Sequence, residues 1–263
     1  MSGITARRMF LLQYGQEPVP KRISVRGAGD ELLWEPIIGI VVETANGWVL
    51  LETGIGRRVL EDGPVLDILY SGVEKPWGHA GDPLTVALAG VGLKVSDLVM
   101  AAASHLHCDH SGGVRELAAA GVPIIIQREE LEFALEKASP TQGYYPPDFA
   151  EAAVDWREID GDAELAPGVR AISTPGHAPG HMSYRVDLPD TGTWLFAADA
   201  GDLAENFTDK VPPGQTVLVN DGVRAEASLH RLLDLKDELK ARLVPGHDQL
   251  FWDAVRHPKG GHR

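Results

Sequence analysis

Apolar and polar residues alternate in short blocks along the chain, and turn residues separate the blocks. Ile37 to Glu43 and Trp48 to Glu52 are apolar, β-branched runs, and Thr-Ala-Asn-Gly lies between them at 44–47. Because Asn and Gly accept positive φ angles, this pattern predicts a β-hairpin with a tight turn. Another buried strand is predicted at Leu98 to Ala103, directly before a cluster of histidines.

Further blocks alternate between helical and extended patterns. Apolar residues at helical spacing predict helices at Pro83 to Gly92, Val114 to Ala120, Arg128 to Lys137 and Val223 to Ala241. Short apolar runs predict strands at Pro123 to Gln127, Val169 to Ser173, Met182 to Val186, Trp194 to Ala198 and Arg242 to Val244. Such alternation indicates an α/β layer architecture.

Two segments lack clear periodicity. Ile55 to Asp82 is rich in Gly, Pro and charged residues, and Ser139 to Asp148 contains three prolines. We interpret both as loops over a site, within insertions around 55–82 and 138–157. Their aromatic residues either form an apolar wall for a substrate or serve ordinary loop packing; these residues are Tyr70, Trp77, Tyr144 and Tyr145.

Composition fits one globular domain spanning residues 1–263. Hydrophobic residues make up 44% of the chain, which is enough for a substantial core. The formal net charge of −14 would repel a phosphate backbone, so a nucleic-acid partner is disfavoured.

The cellular compartment is suggested by cysteine content and hydropathy. Cys108 is the only cysteine, so no intrachain disulfide forms and an oxidising compartment is not required. The apolar run at 9–12 is too brief for a signal-peptide core, and no stretch approaches the roughly eighteen residues that span a bilayer. We therefore expect a cytoplasmic protein without a membrane partner.

The chemistry concentrates in the run His105-x-His107-x-Asp109-His110. Imidazoles two positions apart on an extended or turned backbone can face one side, and the Asp-His pair can present a second set of donors. One short loop can therefore serve two adjacent metals. Neutral imidazole and carboxylate suit Zn²⁺ first, with Fe, Mn or Co as alternatives.

Three later motifs offer further ligands. Thr-Pro-Gly-His-Ala-Pro-Gly-His at 174–181 places His177 and His181 in a turn shaped by glycine and proline. Asp199 follows an apolar run, and His247 follows the strand predicted at 242–244. A carboxylate at a strand end inside a cleft is costly unless it is paired, and a metal would supply that partner.

These motifs resemble the metallo-β-lactamase superfamily, whose hallmark is an HxHxDH run followed by a later His, Asp and His. The resemblance covers about residues 37 to 250 and is greatest to the N-acyl-homoserine lactonase group. It implies a four-layer αβ/βα sandwich with the metal site at the strand ends between two sheets. Glu52 departs from the family pattern, which usually has Asp before Thr-Gly.

The resemblance also implies a ligand set. It makes His105, His107 and His177 ligands of one divalent metal ion. It makes Asp109, His110 and His247 ligands of a second ion, with Asp199 bridging the two. His181 is then a supporting residue rather than a ligand.

The function implied is the opening of a lactone ring, first of all an N-acyl homoserine lactone, which is quorum quenching. A metal-bridging hydroxide would attack the carbonyl, and Asp109 would pass a proton to the leaving alkoxide. The lactonases often carry a tyrosine three residues after the bridging aspartate, where this chain has Asp202. Asp202 is therefore a second candidate catalytic residue, able to donate a hydrogen bond only when protonated.

Several alternatives stay open at this stage. The same metal pair could hydrolyse another ester, a thioester or a β-lactam. With iron, a related ligand set serves a persulfide dioxygenase, although a complete set of seven ligands favours two metals. A binding protein with a structural metal is a third alternative, and the resemblance also allows a homodimer.

Overall fold

Two β-sheets face each other and form the framework of the protein. The computed structural model describes residues 5–150 and 153–263. One sheet has the strand order β4-β1-β2-β3-β5-β6-β7, with the strands β1 (Arg8–Pro20), β2 (Leu32–Thr44), β3 (Gly47–Leu51), β4 (Trp77–Gly78), β5 (Leu98–Ala102), β6 (Ile124–Gln127) and β7 (Trp156–Ile159). The other has the order β12-β11-β10-β9-β8, with β8 (Ala163–Ala166), β9 (Val169–Ser173), β10 (Met182–Leu188), β11 (Gly192–Phe196) and β12 (Arg242–Val244).

Helices flank the two sheets, most of them on the outer faces. They are α1 (Lys21–Ser24), α2 (Arg57–Glu61), α3 (Gly63–Leu69), α4 (Pro83–Gly90), α5 (Val114–Ala119), α6 (Arg128–Glu136), α7 (Pro146–Phe149), α8 (Ala204–Thr208), α9 (Gly222–Leu239) and α10 (Gln249–Ala254). Short 3₁₀ turns lie at Val95–Asp97, Pro140–Gln142 and Ala198–Ala200. Helix α4 begins as its sequence predicts, because Asp82 accepts a hydrogen bond from the backbone N–H of Thr85.

The burial pattern explains the layers. Alternate side chains of β2 enter different cores: Ile40 packs between the sheets, and Val41 packs beneath the outer helices. The core between the sheets also holds Trp194 and Phe196 of β11, so both sheets bury their inner faces against each other. Leu232 of α9 packs on the outer side of the second sheet. The expected four-layer αβ/βα arrangement is confirmed.

The predicted hairpin is present, with its turn shifted by one residue. β2 and β3 pair antiparallel, and Thr44 lies opposite Gly47. The loop is therefore Ala45 and Asn46, and the hydroxyl of Thr44 accepts a hydrogen bond from the backbone N–H of Asn46. Gly47 has a φ of 123°, whereas Asn46 does not have the positive φ that the sequence suggested.

The interpretation of residues 55–82 as an irregular loop was wrong. The segment contains α2, α3 and β4. Asp62 caps α3 by accepting a hydrogen bond from the backbone N–H of Val65, and the apolar side chains of Val59 and Leu66 are buried in the core. Both helices are too short for their periodicity to be recognised in the sequence.

The second insertion is also partly regular. It contains the 3₁₀ turn at 140–142 and α7, and its end overlaps β7. Residues 151–152 of this insertion lie outside the described residues, as do residues 1–4. The strand expected at Trp194 to Ala198 ends at Phe196, and a 3₁₀ turn follows it. A single domain over residues 1–263 stays a prediction. The core that both sheets share agrees with it.

Within residues 5–150 and 153–263, none of the helices has the length and apolar character needed to cross a bilayer.

Candidate metal centre

The candidate ligands lie where several strands of both sheets end. His105 and His107 follow β5, and His177 lies in the loop between β9 and β10. Asp199 lies in the turn after β11, and His247 follows β12. Apolar strands therefore end in polar loops at one common edge, which brings together residues that are far apart in the chain.

The structure forms two groups from the predicted residues. One group is His105, His107, His177 and Asp199, and the other is Asp109, His110, Asp199 and His247. In each group the potential ligand atoms lie within 4.8 Å of one another. Asp199 belongs to both groups, in the position expected of a bridging carboxylate.

The two oxygens of Asp199 face different groups. Its Oδ2 lies 3.3 Å from Nε2 of His177, and its Oδ1 lies 3.1 Å from Nε2 of His110 and 3.2 Å from Nε2 of His247. In the first group, Nε2 of His177 is 3.1 Å from Nδ1 of His107. Donor atoms of both groups thus converge on separate points on either side of one carboxylate.

The donor set fits divalent metal ions. Among the described residues, Nε2 of His105 is buried without a hydrogen-bond partner, which is unfavourable unless another group binds it. Burial lowers the pKa of His105 well below its ordinary value and that of His107 to about 3. Both rings are therefore neutral, which is the form that binds metals.

The second group is more strongly charged. Burial alone would lower the pKa of His110, but the carboxylates of Asp109 and Asp199 raise it well above its ordinary value. Burial likewise opposes ionisation of Asp199, yet His110 and the neighbouring imidazoles keep its pKa very low. These carboxylates are therefore anionic and suited to hold a cation.

Partners outside the two groups fix the orientation of the imidazoles. Nδ1 of His110 lies 2.5 Å from Oε2 of Glu52, and Nδ1 of His247 lies 3.0 Å from the carbonyl oxygen of Pro36. Nδ1 of His105 lies 2.9 Å from the hydroxyl of Ser104. Such contacts select one tautomer and leave the opposite nitrogen facing the centre. The sequence indicated Glu52 only as a departure from a family pattern.

His181 lies beside the centre and belongs to neither group. Its Nε2 accepts a hydrogen bond of 3.1 Å from the backbone N–H of Asp199, and its Nδ1 lies 3.0 Å from the carbonyl oxygen of Thr174. The ring therefore holds the shared carboxylate in place, in agreement with the supporting role that the sequence suggested.

A cavity of about 240 Å³ opens over the two groups. Its floor includes His107, Asp109 and Asp199, and its sides include apolar residues such as Ile23, Leu69, Val73 and Val217. The mixture of an apolar wall and a polar floor is typical of pockets for small organic molecules.

Three buried carboxyl groups give this cavity an acidic side. Glu17 accepts a hydrogen bond of 2.6 Å from the hydroxyl of Tyr70, and Glu35 accepts one of 2.6 Å from the hydroxyl of Ser24. Oδ1 of Asp202 is buried without a partner among the described residues. Burial raises the pKa of Glu35 to about 7, and burial together with Asp199 raises that of Asp202 well above its ordinary value.

The sequence left open whether the four aromatic residues form an apolar wall or serve loop packing, and the structure supports the wall for Tyr70 alone. Tyr70 lines the cavity, but Trp77, Tyr144 and Tyr145 do not. Trp77 lies in the short strand β4 and is 43% exposed, and the hydroxyl of Tyr145 donates to Asp62. Tyr144 packs its ring edge-on against His107, with 4.6 Å between the ring centroids. The direction of these side chains depends on helices that the sequence did not reveal.

Comparison with known proteins agrees with the geometry. The family model of the metallo-beta-lactamase superfamily matches residues 39–247. An N-acyl homoserine lactonase of Bacillus thuringiensis is 32% identical over 219 residues, which is 83% of each chain. The N-acyl homoserine lactonase AttM of Azorhizobium caulinodans is 26% identical and covers 98% of this chain and 99% of its own length.

Solved structures give the same result. A crystal structure of an N-acyl homoserine lactone hydrolase, with the product N-hexanoyl-L-homoserine at its catalytic metal center, superimposes with a TM-score of 0.81. It is 28% identical in sequence and covers 96% of this chain and 97% of its own. The chain belongs to the metallo-β-lactamase superfamily, and within it to the family of the N-acyl homoserine lactonases.

Proposed function

We propose that this protein opens the ring of a lactone by metal-dependent hydrolysis, with N-acyl homoserine lactones as its first substrate class. The observation that carries the proposal is the pair of donor groups that share Asp199 at the floor of the cavity. The relatives named as lactonases support the choice of substrate. Removal of such signal molecules would make the biological role quorum quenching.

The proposed cofactor is a pair of divalent ions. His105, His107, His177 and Asp199 would hold one ion, and Asp109, His110, His247 and Asp199 would hold the other. Zinc suits this set of imidazoles and carboxylates best, and Fe, Mn and Co are alternatives. When bound, such ions polarise a carbonyl group and make water acidic enough to act as a nucleophile near neutral pH.

Asp109 is the proposed proton carrier. It lines the cavity, and its Oδ2 lies 2.8 Å from Nε2 of His110. A carboxylate in this position can hold a proton between the attacking and the leaving oxygen and pass it to the alkoxide that forms when the ring opens.

Asp202 is the proposed hydrogen-bond donor to the substrate. It lines the same cavity, and its raised pKa favours the neutral carboxyl group, which has an O–H to donate. This group would replace the tyrosine that resembling lactonases carry three residues after the bridging aspartate.

Another ester, a thioester or a β-lactam remains the second candidate substrate. The acidic side of the cavity favours this alternative, because Glu17, Glu35 and Asp202 make it more polar than an acyl chain requires. An iron-dependent persulfide dioxygenase fits less well, since its single ion would occupy only one of the two groups of candidate ligands.

A substrate panel tests the proposal. Metal-loaded protein is incubated with N-acyl homoserine lactones of several chain lengths, a simple γ-lactone, an ester, a thioester and a β-lactam, each with a chelated control. Faster, chelator-sensitive opening of the acyl homoserine lactones is expected. Turnover of another class alone would discard the lactone substrate, and no turnover of any class would discard the hydrolase.

Compartment and partners are also proposals. A lone and buried cysteine, Cys108, together with the net charge of −14, favours the cytoplasm and argues against nucleic acid. A homodimer is proposed from the resemblance alone, and light scattering at several protein concentrations tests it.

A further inference from the structure

Glu130 is a buried acidic residue that the proposed reaction does not use. It lies in the first turn of α6 and has no exposed surface. Its Oε1 accepts hydrogen bonds from the backbone N–H of Leu106, at 3.1 Å, and from the hydroxyl of Tyr144, at 2.9 Å. Its Oε2 accepts a hydrogen bond of 3.2 Å from the backbone N–H of Gly180.

All three hydrogen-bond donors lie next to ligands of the same candidate group, the first one, with His105, His107, His177 and Asp199. Leu106 lies between His105 and His107 in the chain, and Gly180 lies in the loop that carries His177. Tyr144 packs its ring edge-on against His107. One carboxylate thus joins three separate segments that surround the first group.

The second donor group is oriented by other residues. His110 is held by Glu52, and His247 by the carbonyl oxygen of Pro36. The hydrogen bonds found for Glu130 among the described residues reach none of the ligands particular to that group, which are Asp109, His110 and His247.

The bonding pattern requires a carboxylate. Two backbone N–H groups and one hydroxyl point at its two oxygens, so both oxygens must accept. A glutamine would direct its NH₂ at the N–H of either Leu106 or Gly180, and one buried donor would lose its acceptor. The fit is also tight, because a Cβ on Gly180 would lie 2.3 Å from the backbone nitrogen of Glu130.

We infer that Glu130 is a positioning residue for the first donor group, and that it sets the affinity of one of the two metal ions without affecting the other. This inference rests on the proposed two-ion centre. It predicts that substitution of Glu130 weakens the binding of one ion and not of the other. The expected size is about 10–100-fold, because outer partners of metal ligands commonly change affinity by that much.

The test compares Glu130→Gln with Glu132→Gln, the same chemical change at an exposed position of the same helix. Elemental analysis measures the number of bound ions, and competition with a chelator measures their affinities. Co²⁺ absorption reports the ligand geometry. Wild type and Glu132→Gln are expected to bind two ions tightly. Glu130→Gln is expected to bind one ion tightly and the other about 10–100-fold more weakly.

Two double variants, in which Glu130→Gln is combined with the loss of one ligand, identify the affected ion. With His247→Ala, which disables the second group, Glu130→Gln is expected to weaken the remaining ion. With His107→Ala, which disables the first group, it is expected to leave the remaining ion unchanged. If Glu130→Gln does not fold, Tyr144→Phe replaces it, since that change removes a single hydrogen bond and should weaken the same ion to a smaller degree.

The outcomes separate this inference from the proposed function. Binding of a single ion by wild type would disprove the two-ion centre itself. Two ions in wild type with equal weakening of both in the variant would show a general structural role and overturn the inference, as would unchanged affinity for both.

Discussion

Oε2 of Glu52 lies 2.5 Å from Nδ1 of His110, although the two residues are 58 positions apart in the chain. The other oxygen of Glu52 accepts a hydrogen bond of 2.9 Å from the backbone N–H of Ser104, so the carboxylate is held on both sides. Because Nδ1 of His110 is fixed in this way, its Nε2 faces Asp109 and Asp199. Glu52 therefore connects the end of β3 to the metal centre.

Glu52→Gln is expected to weaken metal binding by about 10–100-fold. An amide that accepts from His110 would direct its NH₂ at the N–H of Ser104, so one of the two contacts is lost. Competition with a chelator measures the affinity, and Glu61→Gln, at an exposed position, is the control. Equal affinities of Glu52→Gln and wild type would show that the contact has no part in metal binding.

Gly143 supports His107 from behind. Its φ is 91°, and a Cβ at this position would lie 3.1 Å from Cδ2 of His107. Gly161 has a similar φ of 79° with open space around it, so it provides a matched control. Alanine at either position should cost roughly 1–2 kcal/mol of stability through backbone strain.

Only Gly143→Ala is expected to lower metal affinity as well, because its methyl group displaces the imidazole of His107. Thermal unfolding measures the shared loss of stability, and chelator competition measures the affinity. A similar loss of affinity in Gly161→Ala would mean that backbone strain, and not contact with the ring, is responsible.

The role of Asp202 can be separated from that of a general polar residue. If its carboxyl group donates a hydrogen bond to the substrate, Asp202→Asn keeps a donor in its NH₂ and should retain most of the activity. Asp202→Ala removes the donor and should lower kcat by about 10²-fold with a smaller change in KM. Steady-state kinetics on one lactone gives both constants, and wild-type kcat in Asp202→Ala would exclude this role.

Glu116 gives the stability of the protein a pH dependence away from the metal centre. Burial, followed by the nearby carboxyl group of Asp82, raises its pKa from 4.5 to about 7. The folded state therefore binds a proton more tightly than the unfolded chain does. This contribution to stability is complete below about pH 4.5 and is lost as the pH rises through about 7.

Glu116→Gln should accordingly reduce the loss of stability between about pH 5 and pH 8. Urea unfolding at both pH values measures the change, and Glu132→Gln should behave as wild type. A decline in Glu116→Gln as steep as in wild type would assign the pH dependence to other groups, of which Asp148 is one, since burial and Glu116 raise its pKa to about 8.

The candidate metal ligands could be predicted from the sequence because each follows a recognisable local pattern. His105 lies three positions beyond the end of the apolar strand β5, and His247 lies three positions beyond the end of β12, so their positions near strand ends were evident. The resemblance to a known family then supplied the sorting of these residues into two groups, which the geometry reproduces.

The supporting role of His181 was predicted, whereas those of Glu52 and Glu130 could not be, because they depend on contacts between distant segments. Glu130 contacts Leu106 and Gly180, which are 24 and 50 positions away, and no local pattern marks such a residue. Strand β1 was also missed, since Pro18 and Pro20 near its end are unfavourable in sheets. It forms through pairing with β2 along nearly its whole length.

The central claim is that two ions held by these residues open a lactone ring. Its most direct test is the rate of hydrolysis of an N-acyl homoserine lactone by metal-free protein titrated with Zn²⁺. The rate is expected to rise with added metal and to level off at two ions per chain. The variant His110→Ala is expected to bind only one ion per chain. A rate that levels off at one ion, or no hydrolysis at any metal content, would contradict the claim.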